Sequence, residues 1–156
     1  EAVAHAVGVG AVIFHDLKND RTNNFDFALE EVVQFEGETG PYVQYTHARA
    51  MSILRKANHT VDTKEAFSLT DDDAWEVLKL IENYPNVVRF AEEKCEPSAI
   101  AKFVINLAQA FNKYYAHTKV LVEDEAFNSR IALVQTTASI LKQGLALLGV
   151  AAPDEM

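Results

Sequence analysis

Between Pro97 and Tyr115 the apolar residues Ile100, Phe103, Val104, Leu107, Ala108, Phe111 and Tyr115 return at intervals of three and four, and no glycine or proline follows the opening Pro97. That spacing lays one continuous apolar stripe along an α-helix, and a stripe of this length must be covered by other elements. Pro97 suits a first helical turn, which needs no N–H donor there, and Glu96 or Ser98 is placed to meet the first free amides. The chain therefore has to build around a helix rather than beside one.

The partners carry the same period. Residues 2–18 read as a helix through Val3, Val7, Ala11 and Phe14, and the polar run from Lys18 to Asn24 breaks it. Asp26 is expected to cap a short helix reaching about Val33. Thr39 and Pro41 open a long amphipathic helix from Tyr42, whose stripe is Val43, His47, Ala50, Met51, Leu54 and Ala57. Residues 58–69 form a linker. Thr70 with Asp71, Asp72 and Asp73 then caps a helix bearing Trp75, Leu78, Leu80 and Ile81, which the sequence ends near Tyr84 and Pro85. A separate helix is expected from Pro85 to Cys95, with Val87, Val88 and Ala91 inward. The last runs from about Glu125 to Leu148 on Ile131, Val134, Ala138, Leu141, Leu145 and Leu148, with Gly149 as its stop and Pro153 beyond. Helical segments throughout and no alternating strand make the fold class all-α, a helical bundle.

Most catalytic chemistries are excluded by what is missing. The five histidines, His5, His15, His47, His59 and His117, have no acidic or thiol partner at helical metal-ligand spacing, so no metal is expected. His47 and His117 read as interhelical hydrogen-bonding groups. Cys95 is the single cysteine, an ordinary thiol near a helix end that suits a reducing compartment. GVGAV at 8–12 lacks the third glycine of a dinucleotide fingerprint, and GETG at 37–40 lacks the GK[ST] ending of a phosphate loop. No nucleophile stands beside a base. A length of 156 residues with 49% hydrophobic composition fits one soluble domain, and no apolar run approaches the roughly eighteen residues of a membrane span.

With a formal charge of −9, long-range attraction to a polyanion cannot be read from the total. Any nucleic-acid contact must be local. Two places mix aromatic and basic groups: Tyr42 and Tyr45 with Arg49 and Arg55, and the run Lys113, Tyr114, Tyr115, His117, Lys119. Such groups stack on unpaired bases and touch phosphates, as single-stranded RNA recognition requires.

FEGETGPYVQYTHARAMSILRKA, residues 35–57, resembles the junction between the catalytic and anticodon-binding domains of arginyl-tRNA synthetases, class I aminoacyl-tRNA synthetases. INLAQAFNKYYAHTKVLVEDEAFNSRIALVQTTASILKQGLALLGVAAPDEM, residues 105–156, resembles the end of the same enzymes, in their bacterial form. The resemblance implies a DALR-type anticodon-binding bundle at 34–156, with 1–33 as a remnant of the region linking it to the catalytic domain. It implies arginine tRNA and that catalytic domain as partners, a cytoplasmic setting, and neither membrane nor DNA. ATP and Mg belong to the parent enzyme, no cofactor to this piece, which lacks HIGH-type and KMSKS-type motifs and should not aminoacylate alone. Within the family pattern Tyr114 and Met156 fall at the anticodon loop, with Tyr42 or Tyr45 as further candidates, while Gln44, His47 and Arg49, of the same signature, are expected to hold the bundle against the tRNA or the catalytic body. Lys113, Lys119, Arg55 and Lys56 are phosphate-contact candidates on charge alone. The competing reading is a helical protein-interaction module that does not bind RNA.

Overall fold

The computed structural model describes residues 1–156 as six helices: α1 (Ala2–Lys18), α2 (Leu29–Val32), α3 (Gly40–Ala57), α4 (Asp72–Lys94), α5 (Pro97–His117) and α6 (Phe127–Leu147). The Pro97 helix, α5, is the central one. It packs against α1, α3, α4 and α6, and Ile100, Phe103, Val104, Leu107, Ala108 and Phe111 are all buried in one shared core. Phe14 of α1 belongs to that core, so residues 2–18 are fastened to the bundle. The approach is close where α1 crosses α3: a Cβ on Gly40 would lie 2.8 Å from Phe14 Cβ and 3.0 Å from the Gly10 carbonyl oxygen.

Local chemistry sets most helix ends. Thr39 Oγ1 accepts from the Tyr42 amide at 3.2 Å, and Asp71 Oδ1, rather than Thr70, accepts from the Ala74 amide at 2.8 Å. Gly149 takes a left-handed φ of 73°, its amide donates to the Ala146 carbonyl and the Val150 amide to that of Leu145, closing α6 with the paired bonds that a glycine stop permits. The last helix starts two residues later than the sequence places it, at Phe127.

Two expectations need correction. Asp26 caps nothing, and α2 is a single turn whose N-cap is Ala28. His15 explains why: its Nε2 donates to the Asp26 carbonyl at 3.2 Å and its ring meets Phe25 and Phe27 edge-on, which keeps the stretch before Leu29 extended. The predicted break at Pro85 also fails, because α4 runs straight through it. Proline removes one backbone bond there, but packing on both sides outweighs the loss. Ala74 and Val77 are buried on the N-terminal half, and Tyr84, beside the proline, stacks on Phe103 of α5 with ring centroids 5.3 Å apart. Cys95 ends the helix with φ of 50°. None of the helices is long and apolar enough to cross a membrane.

Candidate nucleic-acid interface

Helical geometry puts Tyr45 and Arg49, four residues apart, on one face of α3. The Arg49 guanidinium carbon lies 4.9 Å from the Tyr45 ring centroid and 5.7 Å from that of Tyr115 on α5. A planar cation flanked by two aromatic rings is stabilised by both ring quadrupoles. Its direction is fixed from behind: Arg49 Nη1 donates to Asn112 Oδ1 at 2.8 Å, and Asn112 Nδ2 donates in turn to the Tyr42 hydroxyl at 3.0 Å and to Thr46 Oγ1 at 2.9 Å. Tyr42 thus helps hold Arg49 in place. Phe35 leans edge-on against Tyr45, with centroids 6.4 Å apart.

The segment after α6 closes the other side. Buried Gln44 donates from Nε2 to the carbonyls of Ala6 at 3.2 Å and Ala151 at 2.8 Å, tying α1, α3 and this segment together. His47 sits at 1% exposure with Nδ1 3.0 Å from the Pro153 carbonyl. A carbonyl can only accept, so the imidazole carries its proton on Nδ1. Burial pulls the His47 pKa below its ordinary value, against the opposing influence of the Pro153 bond and the Asp154 charge. Arg55 donates to the Asp154 carbonyl at 3.2 Å and pairs with Glu155 at 3.4 Å. These contacts deliver Met156 to a cleft of about 410 Å³, shared with Tyr45, Arg49, Arg55, Lys56 and Tyr115.

Of the sequence candidates, the cleft gathers Tyr45, Met156, Arg55, Lys56 and Arg49. Gln44, His47 and Tyr42 support it from behind. Tyr114 is elsewhere: its side chain is 0% exposed within the core, and its hydroxyl has no hydrogen-bond partner. Tyr115, which the apolar stripe had claimed for the core, is the ring that faces outward. Lys113 points to α4, where Asp73 binds it through Oδ1 at 2.7 Å and binds His117 Nδ1 through Oδ2 at 2.6 Å. Lys113 first, and then His117, holds the Asp73 carboxyl below the usual carboxylate range. Lys119 is exposed in a neighbouring cleft with Tyr115 and His117. Asn112 and Leu121 had no signal in the sequence, since one polar residue on a helix and one apolar residue in a loop are unremarkable until their neighbours are known. A further cleft of about 410 Å³ between α4 and α6, walled by Phe67, Leu69, Trp75, Leu78 and Ile81, has no charged residue in its lining and stands apart from this cluster.

Residues 43–156 match the family described as the DALR anticodon binding domain. The chain belongs to that family. Over its full length this DALR domain is 65% identical to an arginine-tRNA ligase of Enterococcus faecalis and 58% identical to one of Streptococcus thermophilus, and in each case it spans 28% of the relative's length. Among solved structures, the arginyl-tRNA synthetase of Thermus thermophilus superposes with a TM-score of 0.90 at 36% identity, covering 98% of this chain and 27% of that one. The enzyme from Plasmodium falciparum gives 0.91 at 26% identity, covering 99% and 28%. The DALR domain thus has the helical fold expected of it, and it spans just over a quarter of the relatives it matches.

Proposed function

We propose that this DALR domain binds the anticodon arm of arginine tRNA, as the RNA-reading part of a cytoplasmic, ATP-dependent arginine-tRNA ligase whose catalytic domain, with its Mg and nucleotide, is a separate part of the same polypeptide. Beside family membership, the observation that carries the reading is Arg49 within cation–π distance of both Tyr45 and Tyr115 in the lining of an open cleft. A flat cation beside two aromatic rings offers unstacked bases π-faces to lie on and N–H donors to bond. Lys56 supplies a phosphate contact, and Arg55 supplies a second where the phosphate displaces Glu155, its ion-pair partner in the same cleft. Tyr42, Gln44, His47 and Asn112 act by position, and Met156 closes the pocket.

The test is a titration of the protein with arginine tRNA and with a non-cognate tRNA of similar size at two salt concentrations, repeated with Tyr115→Ala. A cognate preference that this substitution removes supports the reading. Equal, strongly salt-dependent binding of both tRNAs by wild type and variant would reduce the cleft to a non-specific cation site and defeat it.

A further inference from the structure

α4 is poorly covered for its length. Of its 23 residues only Ala74 and Val77 are buried, and Trp75 is 59% exposed. Two clefts lie between its open apolar side and α6. The first, of about 410 Å³, takes Trp75, Leu78 and Ile81 from α4 and Ala132 and Leu133 from α6. The second, of about 640 Å³, takes Tyr84, Pro85 and Val88 from α4 and Ala146 and Leu147 from α6. The order along both helices is the same, so α4 and α6 run side by side in one direction and the clefts are successive stretches of one groove. From Trp75 to Val88 it is about 20 Å long at the helical rise. No charged residue lines either stretch.

The two walls differ in charge. On a helix, side chains three or four residues from a lining position share its side. On α4 and its cap these include the exposed carboxylates Asp71, Asp72, Glu82 and Glu92, against the cation Arg89, since Lys79 is already bound to Glu76 at 2.7 Å. On α6 the exposed Gln135, Thr136, Ser139 and Gln143 are uncharged, and Lys142 pairs with Asp154 at 3.5 Å. The groove thus has an apolar floor, one acidic wall and one neutral wall. A contiguous apolar surface rimmed by polar residues marks an interaction site, and an acidic wall favours a cationic partner while repelling a polyanion.

We propose that this groove docks a basic amphipathic helix of a partner protein, about thirteen residues long, with its apolar stripe between α4 and α6 and its lysines and arginines along the α4 wall. Large apolar side chains three, four and seven residues apart fill the two stretches, as a helix laid in a groove does. Trp75 at one end and Leu147, 57% exposed, at the other are the surfaces those side chains cover. The groove stands apart from the Arg49 cleft, so the inference does not depend on the anticodon reading, and RNA and partner are bound at separate places.

Trp75 is the single tryptophan, so its fluorescence reads the groove directly. The probes are synthetic helices of about four turns made of leucine, alanine and lysine: one with its leucines on one face, one of the same composition with them dispersed, and one striped but with glutamate for lysine. Each is titrated into this chain, and in labelled form, by anisotropy, into a full-length ligase that contains it. The striped basic helix is expected to shift Trp75 emission and to bind on the order of tenfold tighter than the dispersed one. Leu147→Glu should weaken it, and Glu82→Lys should reduce its advantage over the glutamate helix. Both positions are exposed, and thermal unfolding checks that each variant folds. The proposal falls if no helix moves Trp75 emission, if striped and dispersed helices bind alike, which is adsorption by charge, or if folded Leu147→Glu binds as wild type. It falls also if this chain binds and the full-length ligase does not, because the groove is then covered by the rest of the polypeptide. Sedimentation that shows a dimer abolished by Leu147→Glu would make a second copy the occupant, and displacement of the helix by arginine tRNA would make the groove an RNA surface; either result overturns it.

Discussion

Tyr114 and Tyr115 are adjacent in the chain and, about 100° apart around α5, differ completely in burial, the first 0% and the second 39% exposed. One ring is core and the other is surface, and they should respond to substitution in opposite ways. The Tyr114 hydroxyl is buried without a partner, and burial drives its pKa above the usual tyrosine range. Removing an unsatisfied buried hydroxyl is close to neutral or mildly stabilising. Tyr114→Phe is therefore expected to hold or raise the thermal midpoint and to leave RNA affinity unchanged, whereas Tyr114→Ala costs about 3–5 kcal/mol. Tyr115→Ala should do the reverse, sparing stability and weakening RNA binding about tenfold. Calorimetry and a binding titration on the same samples separate the two.

His47 makes stability depend on pH. Its folded-state pKa lies below the ordinary 6.5, chiefly through burial, so the folded chain keeps it neutral where the unfolded chain takes up a proton. The contribution is fully present above about 6.5 and is lost as pH falls below that value toward the folded pKa. His47→Gln removes the titrating group and its bond to Pro153, and costs about 1–3 kcal/mol at neutral pH. The gap in thermal midpoint between wild type and variant should narrow from pH 7.5 to pH 5.5. A gap constant across that range would mean that His47 does not titrate differently in the two states.

Gly40 sits at a close approach of α1 and α3. Gly40→Ala would put a methyl group 2.8 Å from Phe14 Cβ and 3.0 Å from a main-chain oxygen, neither of which is a flexible side-chain end. The helices must separate. Overpacking of this kind costs about 1–3 kcal/mol, and urea unfolding should show a lower midpoint with little change in slope.

The period of three and four was enough to locate every long helix, though it cut α4 in two at Pro85, because burying a stripe is what stabilises a helix in a small domain. It could not choose between Tyr114 and Tyr115. After Phe111 a step of three and a step of four both fall within the width of an apolar stripe, and only the packing of α4 and α6 against α5 decides which ring is covered. Pro85 misled for a related reason: local propensity argues for a break, and the restoring contact, Tyr84 on Phe103, joins residues in different helices. The cleft was legible in its parts, since Tyr45, Arg49 and Arg55 share one helix. Its assembly with Tyr115, Leu121 and Met156 depends on long-range hydrogen bonds, such as Gln44 to Ala151, that no local pattern records.

Arg49 and Lys113 carry the same formal charge and should matter very differently to RNA. Lys113 already has Asp73 at 2.7 Å, so its charge is largely spent within the protein, while Arg49 has a neutral partner in Asn112 and two ring faces that leave its charge uncompensated. Arg49→Lys keeps the charge and loses the plane. An ammonium is a compact, strongly hydrated point charge that cannot lie flat between two rings and bond Asn112 at once. Binding of arginine tRNA is expected to fall on the order of tenfold with Arg49→Lys, with the salt dependence of binding nearly unchanged because no charge has been removed. Lys113→Ala should stay within about twofold of wild type. A loss with Lys113→Ala equal to that with Arg49→Lys, accompanied by a shallower salt dependence, would show instead that Asp73 gives up its lysine to the RNA backbone when the complex forms.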